Sequence, residues 1–277
     1  MAEREPSAHQ FMDLTVPEYA YMFGFLQADG HLHQGPGQKG HLTVELSIRD
    51  IDLLYRFKHF TPYNSSVAER VRSTNFAETH HSATWTLCSL EARSKLNQLG
   101  LPYGRKSKEI APPHIAFSRR DYLRGLIDAD GSVGYTGPGW PFVSLTTSST
   151  AIGAYLCLYA LKITGVERTI NRNARDEVYN ISYEKEAAQA LVADLYYPGC
   201  LSLGRKQVKA DSLASWARPV DMRVAHSRRS WTAREDQMLL QSDDIVAISS
   251  ELGRTERSCR LRLWRLRNSR VLMPNDR

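Results

Sequence analysis

Apolar and polar positions alternate along one stretch of the chain. Leu42, Val44, Leu46 and Ile48 are separated by single polar residues, the pattern of a strand with one buried face. Longer apolar stretches obey a different period and occur twice. Met22-Phe23-Gly24-Phe25-Leu26-Gln27-Ala28 and Leu123-Arg124-Gly125-Leu126-Ile127-Asp128-Ala129 are each followed by Asp-Gly. Gly24/Ala28 and Gly125/Ala129 stand at i and i+4, hence on one helix face, where small side chains let two backbones approach closely. Further helices are expected over 50–60 and 149–163, with closing helices over 90–99 and 184–195. Paired strands are expected over 66–72 with 83–88, and over 166–172 with 177–182. The order helix, two strands, helix, two strands, helix, twice over, is that of an α+β domain.

The two halves keep register. Gly24 and Gly125 lie 101 positions apart, and Gly104-Arg105-Lys106 returns as Gly204-Arg205-Lys206 after 100. Two landmarks with nearly one offset indicate an internal duplication. The expected organisation is a tail over 1–15, repeats over 16–113 and 114–217, a linker over 218–229 and a helical module over 230–277. Asp29 and Asp130 fall at the ends of the two apolar helices, and Gly30 and Gly131 suit helix C-caps. A carboxylate at a helix C-terminus opposes the macrodipole, and two brought together repel. A divalent cation answers both problems. Mg²⁺ typically takes one or two protein carboxylates and fills its remaining positions with water and phosphate oxygens.

The net charge of +6 is unevenly placed, because residues 218–277 hold thirteen Arg, no Lys and eight Asp or Glu. A basic end favours a polyanionic partner. Within it, Thr232-x-x-Glu235 reads as a capping box, Asp243 or Asp244 starts a second helix that Gly253 ends, and Thr255 caps a third. Arg257, Arg260, Trp264 and Arg267 share one face of that third helix, and Cys259, Leu263 and Leu266 share another. The four cysteines form no Cys-x-x-Cys pair and read as reduced thiols. No apolar run is long enough to span a membrane, and the first ten residues do not read as a secretory signal.

The two apolar segments with their Asp-Gly ends resemble the motifs of the LAGLIDADG homing endonuclease family. The second is the nearer match, with Arg124 in place of Ala, and the first has Gln27 where the motif has its earlier Asp. The resemblance covers about 16–216 and is to the single-chain form. It implies a pseudo-two-fold duplicated fold of two αββαββα repeats with curved antiparallel sheets, to which the chain adds a small all-α module. It further implies a monomeric, metal-dependent endonuclease on double-stranded DNA, with Asp29 and Asp130 as ligands of Mg²⁺ (Mn²⁺ as a substitute). Lys106 and Lys206 would organise water or stabilise charge at the phosphate, with Lys108 and Lys209 as rivals. His33, Lys39, His41, Arg70, Arg72, Arg168, Arg172 and Arg175 are candidates for DNA contacts on the sheets. The C-terminal segment resembles a Myb/SANT-type helix-turn-helix module, with Trp231 and Trp264 near its core aromatic positions and Arg257, Arg260, Trp264 and Arg267 toward DNA. A non-catalytic DNA-binding regulator and an RNA maturase share the fold, and a cytoplasmic location is expected for all three.

Overall fold

The computed structural model describes residues 7–74, 77–220, 222 and 231–268. The chain divides into two compact units, 1–218 and 219–277.

The first unit opens on helix α1 (Pro17–Asp29), which has Pro at its first turn, where a missing N–H costs nothing. Strands β1 (His31–His33) and β2 (His41–Ser47) form a hairpin, then helix α2 (Ile51–Phe60) leads into β3 (Ser65–Thr74) and β4 (Ala77–Leu87). Helix α3 (Leu90–Gln98) closes the repeat, with the Ser89 hydroxyl accepting from Ala92 N. The sheet is antiparallel in the order β1-β2-β4-β3. The second repeat begins with α4 (Arg119–Asp130), β5 (Gly131–Tyr135), β6 (Pro141–Thr147) and α5 (Thr150–Thr164). It continues with β7 (Tyr179–Glu184), α6 (Lys185–Leu195) and α7 (Gly204–Leu213). Its antiparallel sheet runs β5-β6-β7. Element by element, α1, β1, β2, α2, β4 and α3 correspond to α4, β5, β6, α5, β7 and α6.

One expectation fails here. The strand expected over 166–172 reduces to a single bridge between Arg172 and Tyr179, so the second sheet has three strands. Side chains take the place of the ladder. Asn173 Oδ1 accepts from the backbone of Arg175 and Asp176, and the Arg172 guanidinium donates to Glu177 O and to Ser148 O, the latter at 2.9 Å. Such local bonds satisfy the backbone without a partner strand. Part of the segment expected as a tail packs inward. Phe11, Met12 and Leu14 are buried in the core, and Leu14 O accepts from Ser118 N, at the start of α4, at 2.8 Å.

The helices α1 and α4 cross at their glycines. A Cβ on Gly24 would lie 2.2 Å from Tyr122 O, and one on Gly125 would lie 2.2 Å from Tyr21 O. Gly24 and Gly125 are equivalent positions of the two repeats, as are Tyr21 and Tyr122. Their reciprocal contacts are the mark of a two-fold crossing. Gly30 and Gly131 do stand at the helix ends, but in extended rather than left-handed conformation (φ −69° and −112°). Each chain passes straight into a strand. What excludes a side chain is proximity, since a Cβ would meet Leu26 O at 2.6 Å or Ser144 O at 2.4 Å.

The second unit contains α8 (Ala233–Gln241), α9 (Ile245–Leu252) and α10 (Glu256–Arg267). The Thr232–Glu235 capping box forms, Asp244 caps α9, Gly253 ends it left-handed and Thr255 caps α10. Leu239, Ile248, Leu252 and Cys259 form its core, with Trp231, Met238 and Ile245 against it. Arg262 bonds Asp236 at 2.7 Å and Arg254 bonds Glu235 at 3.0 Å, both pairs buried. Trp231 lies under the Arg254 guanidinium, 3.9 Å from its ring centre. Trp264 departs from the core position expected for it. It is 54% exposed, on the face it shares with Arg257, Arg260 and Arg267, while Leu263 and Leu266 of the other face are buried as expected. The linker expected over 218–229 falls mostly outside the described residues.

Candidate active site

The crossing of α1 and α4 delivers Asp29 and Asp130, each the last residue of its helix, to one end of the interface. Water reaches both carboxylates, yet the protein around them strips away much of their hydration. Desolvation raises the pKa of Asp29 above the usual carboxylate value. Asp130 is pushed up to about 6, first by desolvation and then by the charge of Asp29. The ammonium groups of Lys106 and Lys206 act on both acids in the opposite sense. A cleft of ≈ 180 Å³ opens beside Asp130, lined also by Gln27, Ala28, Ser107 and Thr146.

Each lysine closes the C-terminus of one motif helix. Lys106 Nζ donates to Gln27 O at 2.6 Å and to Ala28 O. Lys206 Nζ donates to Ile127 O, Asp128 O and Gly131 O at 2.7, 2.6 and 2.8 Å. Ile127 O also accepts from Gly131 N, but the other helical carbonyls are ones a helix end leaves without backbone partners, and a cation there offsets the macrodipole. Both lysines are buried, which lowers their pKa, that of Lys206 to about 8. The supporting frames differ: Lys206 rides on α7, whereas Lys106 sits in a loop turned at Lys106–Glu109. Arg205, beside Lys206, bonds Asp50 of the first repeat at 3.1 Å. Lys108 is engaged elsewhere, with Glu177 at 3.0 Å, and Lys209 is exposed on α7.

Strand registers sort the remaining candidates by face. In the first sheet Val44, Ala83, Trp85 and Leu87 are buried. The other face carries His31 opposite Thr43, His33 opposite His41, Arg70 opposite Ser82 and Arg72 opposite His80. His33, His41, Arg70 and Arg72 are thus brought to one polar surface, with Lys39 exposed in the turn above. His33 and His41 lie ring to ring at 4.9 Å. Arg72 is partly neutralised there by Glu45 at 2.9 Å. The second sheet presents Ser132, Ser144, Thr146, Asn180 and Ser182, which hold no place among the candidates read from sequence. Thr43, Thr84 and Thr86 of the first sheet escape that reading likewise. Alternation with Val133, Val143, Leu145 and Ile181 is a signal for them, but short neutral residues do not stand out as nucleic-acid contacts. Arg168, Arg172 and Arg175 lie outside regular strands. Arg172 is occupied in pinning its own loop and Arg175 is paired with Asp176 at 2.8 Å. In the second unit Arg257, Arg260, Trp264 and Arg267 are all exposed on α10.

A helix-ended pair of acids at a two-fold helix crossing, between two antiparallel sheets, defines the LAGLIDADG fold. Residues 118–196 match the model of the LAGLIDADG-like domain. Over 73% of its length it is similar to the homing endonuclease I-WcaI bound to its DNA recognition sequence (14% identity, 89% of that chain, TM-score 0.50). Other similar structures are the LAGLIDADG homing endonuclease I-LtrWI bound to target DNA (10% identity, 71% of this chain and 88% of that one, TM-score 0.44) and the N-terminal LAGLIDADG domain of WhiA (13% identity, 80% and 96%, TM-score 0.42). A search of curated proteins returns no match. Among the described residues no helix is long and apolar enough to cross a membrane.

Proposed function

We propose that the chain is a site-specific, divalent-metal-dependent endonuclease that hydrolyses phosphodiester bonds of double-stranded DNA in the cytoplasm, working as a monomer in which two repeats form one composite site. The observation that carries this reading is the meeting of Asp29 and Asp130 at the helix crossing, with a buried lysine behind each. A protein that only bound DNA would gain nothing from paired acids with raised pKa on a surface that must face phosphates.

The donor set suits the metal. Among the described residues no three His, Cys, Asp or Glu gather into a cage. Two hard carboxylates alone fit Mg²⁺, or Mn²⁺, with water and phosphate oxygens as the remaining ligands. Bound there, the ion would polarise the phosphate and acidify an attacking water. Asp29 and Asp130 would hold the ion and must be ionised to do so. Lys206 directs all three of its N–H groups to backbone carbonyls, so it acts on the phosphate through space, as a fixed positive charge. Lys106 directs two and keeps one N–H for water or a phosphate oxygen. The polar sheet faces and the turn above them carry the DNA duplex: His33, Lys39, His41, Arg70 and Arg72 contact phosphates or base edges, whereas Arg168 lies over the core-facing Tyr183 ring and is not among them. Arg172 and Arg175 shape the loop beside them. The second unit adds a helix-turn-helix contact through Arg257, Arg260, Trp264 and Arg267 of α10.

The test is substitution at the acids. Asp29→Asn and Asp130→Asn are each expected to abolish cleavage while DNA affinity stays within a few-fold. Full cleavage by either variant rejects the assignment. A defined bound sequence that the unaltered chain never cuts would instead identify a regulator.

A further inference from the structure

Gln27 and Asp128 stand 101 positions apart, at the same place in the two repeats, yet they bond in opposite senses. Gln27 turns its amide nitrogen to Gly100 O at 2.8 Å and Ala111 O at 3.1 Å. Those two residues bracket the loop 101–110 that carries Lys106. Its amide oxygen accepts at 2.5 Å from Tyr122, which reaches across from α4. Asp128 accepts from Leu203 N at 2.7 Å and from the Tyr196 hydroxyl at 2.6 Å. Leu203 caps α7, whose third residue is Lys206. The Tyr21 hydroxyl, crossing from α1, donates to the same carboxylate at 2.7 Å. Both side chains are fully buried, at 0% and 1%. An amide donates and accepts, whereas a carboxylate only accepts. The first lysine segment offers carbonyls and the second offers N–H and O–H groups, and each motif residue matches its own segment.

We propose that Gln27 and Asp128 are positioning residues, each tying the segment that bears its own lysine to the crossing of the two motif helices, Gln27 as hydrogen-bond donor and Asp128 as acceptor, so that the two are not interchangeable. The proposal rests on Lys106 and Lys206 being residues of the site. It explains why the first motif departs from the family pattern at Gln27. An Asp there would be one methylene shorter and would set a buried acceptor against two carbonyls, leaving both without donors.

Gln27→Glu tests this, since it keeps the side-chain length and removes the amide donors. The metal-free, DNA-free protein is briefly methylated with formaldehyde and borohydride, and each lysine is followed by peptide mass spectrometry. Both ammonium groups are buried against carbonyls in the unaltered chain and should label slowly. In Gln27→Glu, Lys106 is expected to label at least about tenfold faster, the equivalent of 1.4 kcal/mol of lost protection, with Lys206 unchanged. Asp128→Asn keeps an acceptor for Leu203 N–H and should leave both lysines protected. A merely structural role would loosen the two together. Labelling of Lys106 at nearly the rate of the unaltered chain, or equal acceleration of both lysines, overturns the proposal. Should Gln27→Glu fail to fold, Gln27→Met, neutral and of similar length, is read by the same criteria. Because metal and DNA are absent, a failed labelling pattern rejects the positioning role alone, and a chain that never cleaves DNA rejects the nuclease reading alone.

Discussion

Replacing Asp130 by Asn is expected to stabilise the metal-free chain above pH 6 while destroying its chemistry. The carboxyl is moved from 3.8 to about 6, by desolvation and by the neighbouring Asp29. A folded-state pKa above the unfolded one favours the neutral acid. Its stabilising contribution is complete below pH 3.8 and is lost as the pH rises through about 6. The ionised acid therefore weakens the fold at neutral pH, and Asn removes that penalty. At 1.36 kcal/mol per pH unit the displacement corresponds to about 3 kcal/mol. Asp130 is exposed, so solvent screening reduces this to about 1 kcal/mol. For a domain of this size that is a gain of roughly 2–4 °C in Tm. Thermal unfolding in EDTA from about pH 4 to about pH 8 reads it directly. The Tm difference between the Asp130→Asn variant and the unaltered chain should be small at the acid end and reach its full value above pH 7. Mg²⁺ should raise the Tm of the unaltered chain and leave that of the variant where it was. A variant less stable than the unaltered chain above pH 7, or a difference that ignores pH, would rule out a destabilising charge at Asp130.

Other outcomes follow from the same geometry. Gly24→Ala sets a Cβ 2.2 Å from Tyr122 O and must spread the helix crossing; urea unfolding should show a loss of about 2 kcal/mol or more, despite the better helix propensity of Ala. The apparent affinity for Mg²⁺, measured by calorimetry, should weaken steadily as the pH falls below about 6, because protons compete for Asp130. Arg262→Met removes the guanidinium that bonds the buried Asp236 at 2.7 Å, a charge-assisted bond worth about 1.5–3 kcal/mol, and hydrogen exchange over 233–267 should lose protection. Truncation after Arg218 should weaken DNA binding and flatten its dependence on salt, and unchanged affinity would remove α10 from the interface.

Much of this fold is legible in the sequence, for identifiable reasons. The motif helices announce themselves through small residues at i,i+4, and the spacing of Gly104-Arg105-Lys106 and Gly204-Arg205-Lys206 recovers the weaker first motif as a true partner. Capping residues such as Thr232, Asp244 and Thr255 act within one turn, so their pattern survives in the sequence. What escapes depends on distant partners. Nothing local reveals that Gly131 is required by closeness to Ser144 O of β6 rather than by a left-handed turn. Phe11, Met12 and Leu14 look like part of a polar tail until the core that receives them is known. The 166–172 segment has strand composition, yet Asn173 and Arg172 satisfy its turn from their side chains. The hydrogen-bonding sense of Gln27 and Asp128 is set largely by segments distant in the chain, Gly100 and Ala111 for the one, Tyr196 and Leu203 for the other.

Cleavage of a randomised double-stranded DNA library by the purified chain in Mg²⁺ probes the composite site most directly, with EDTA and the Asp29→Asn and Asp130→Asn variants alongside. A metal site shared by Asp29 and Asp130 requires a defined set of sites cut on both strands, only in Mg²⁺ and only by the unaltered chain. Cutting that persists in EDTA or in either variant, or selection of a bound sequence that is never cut, would contradict it.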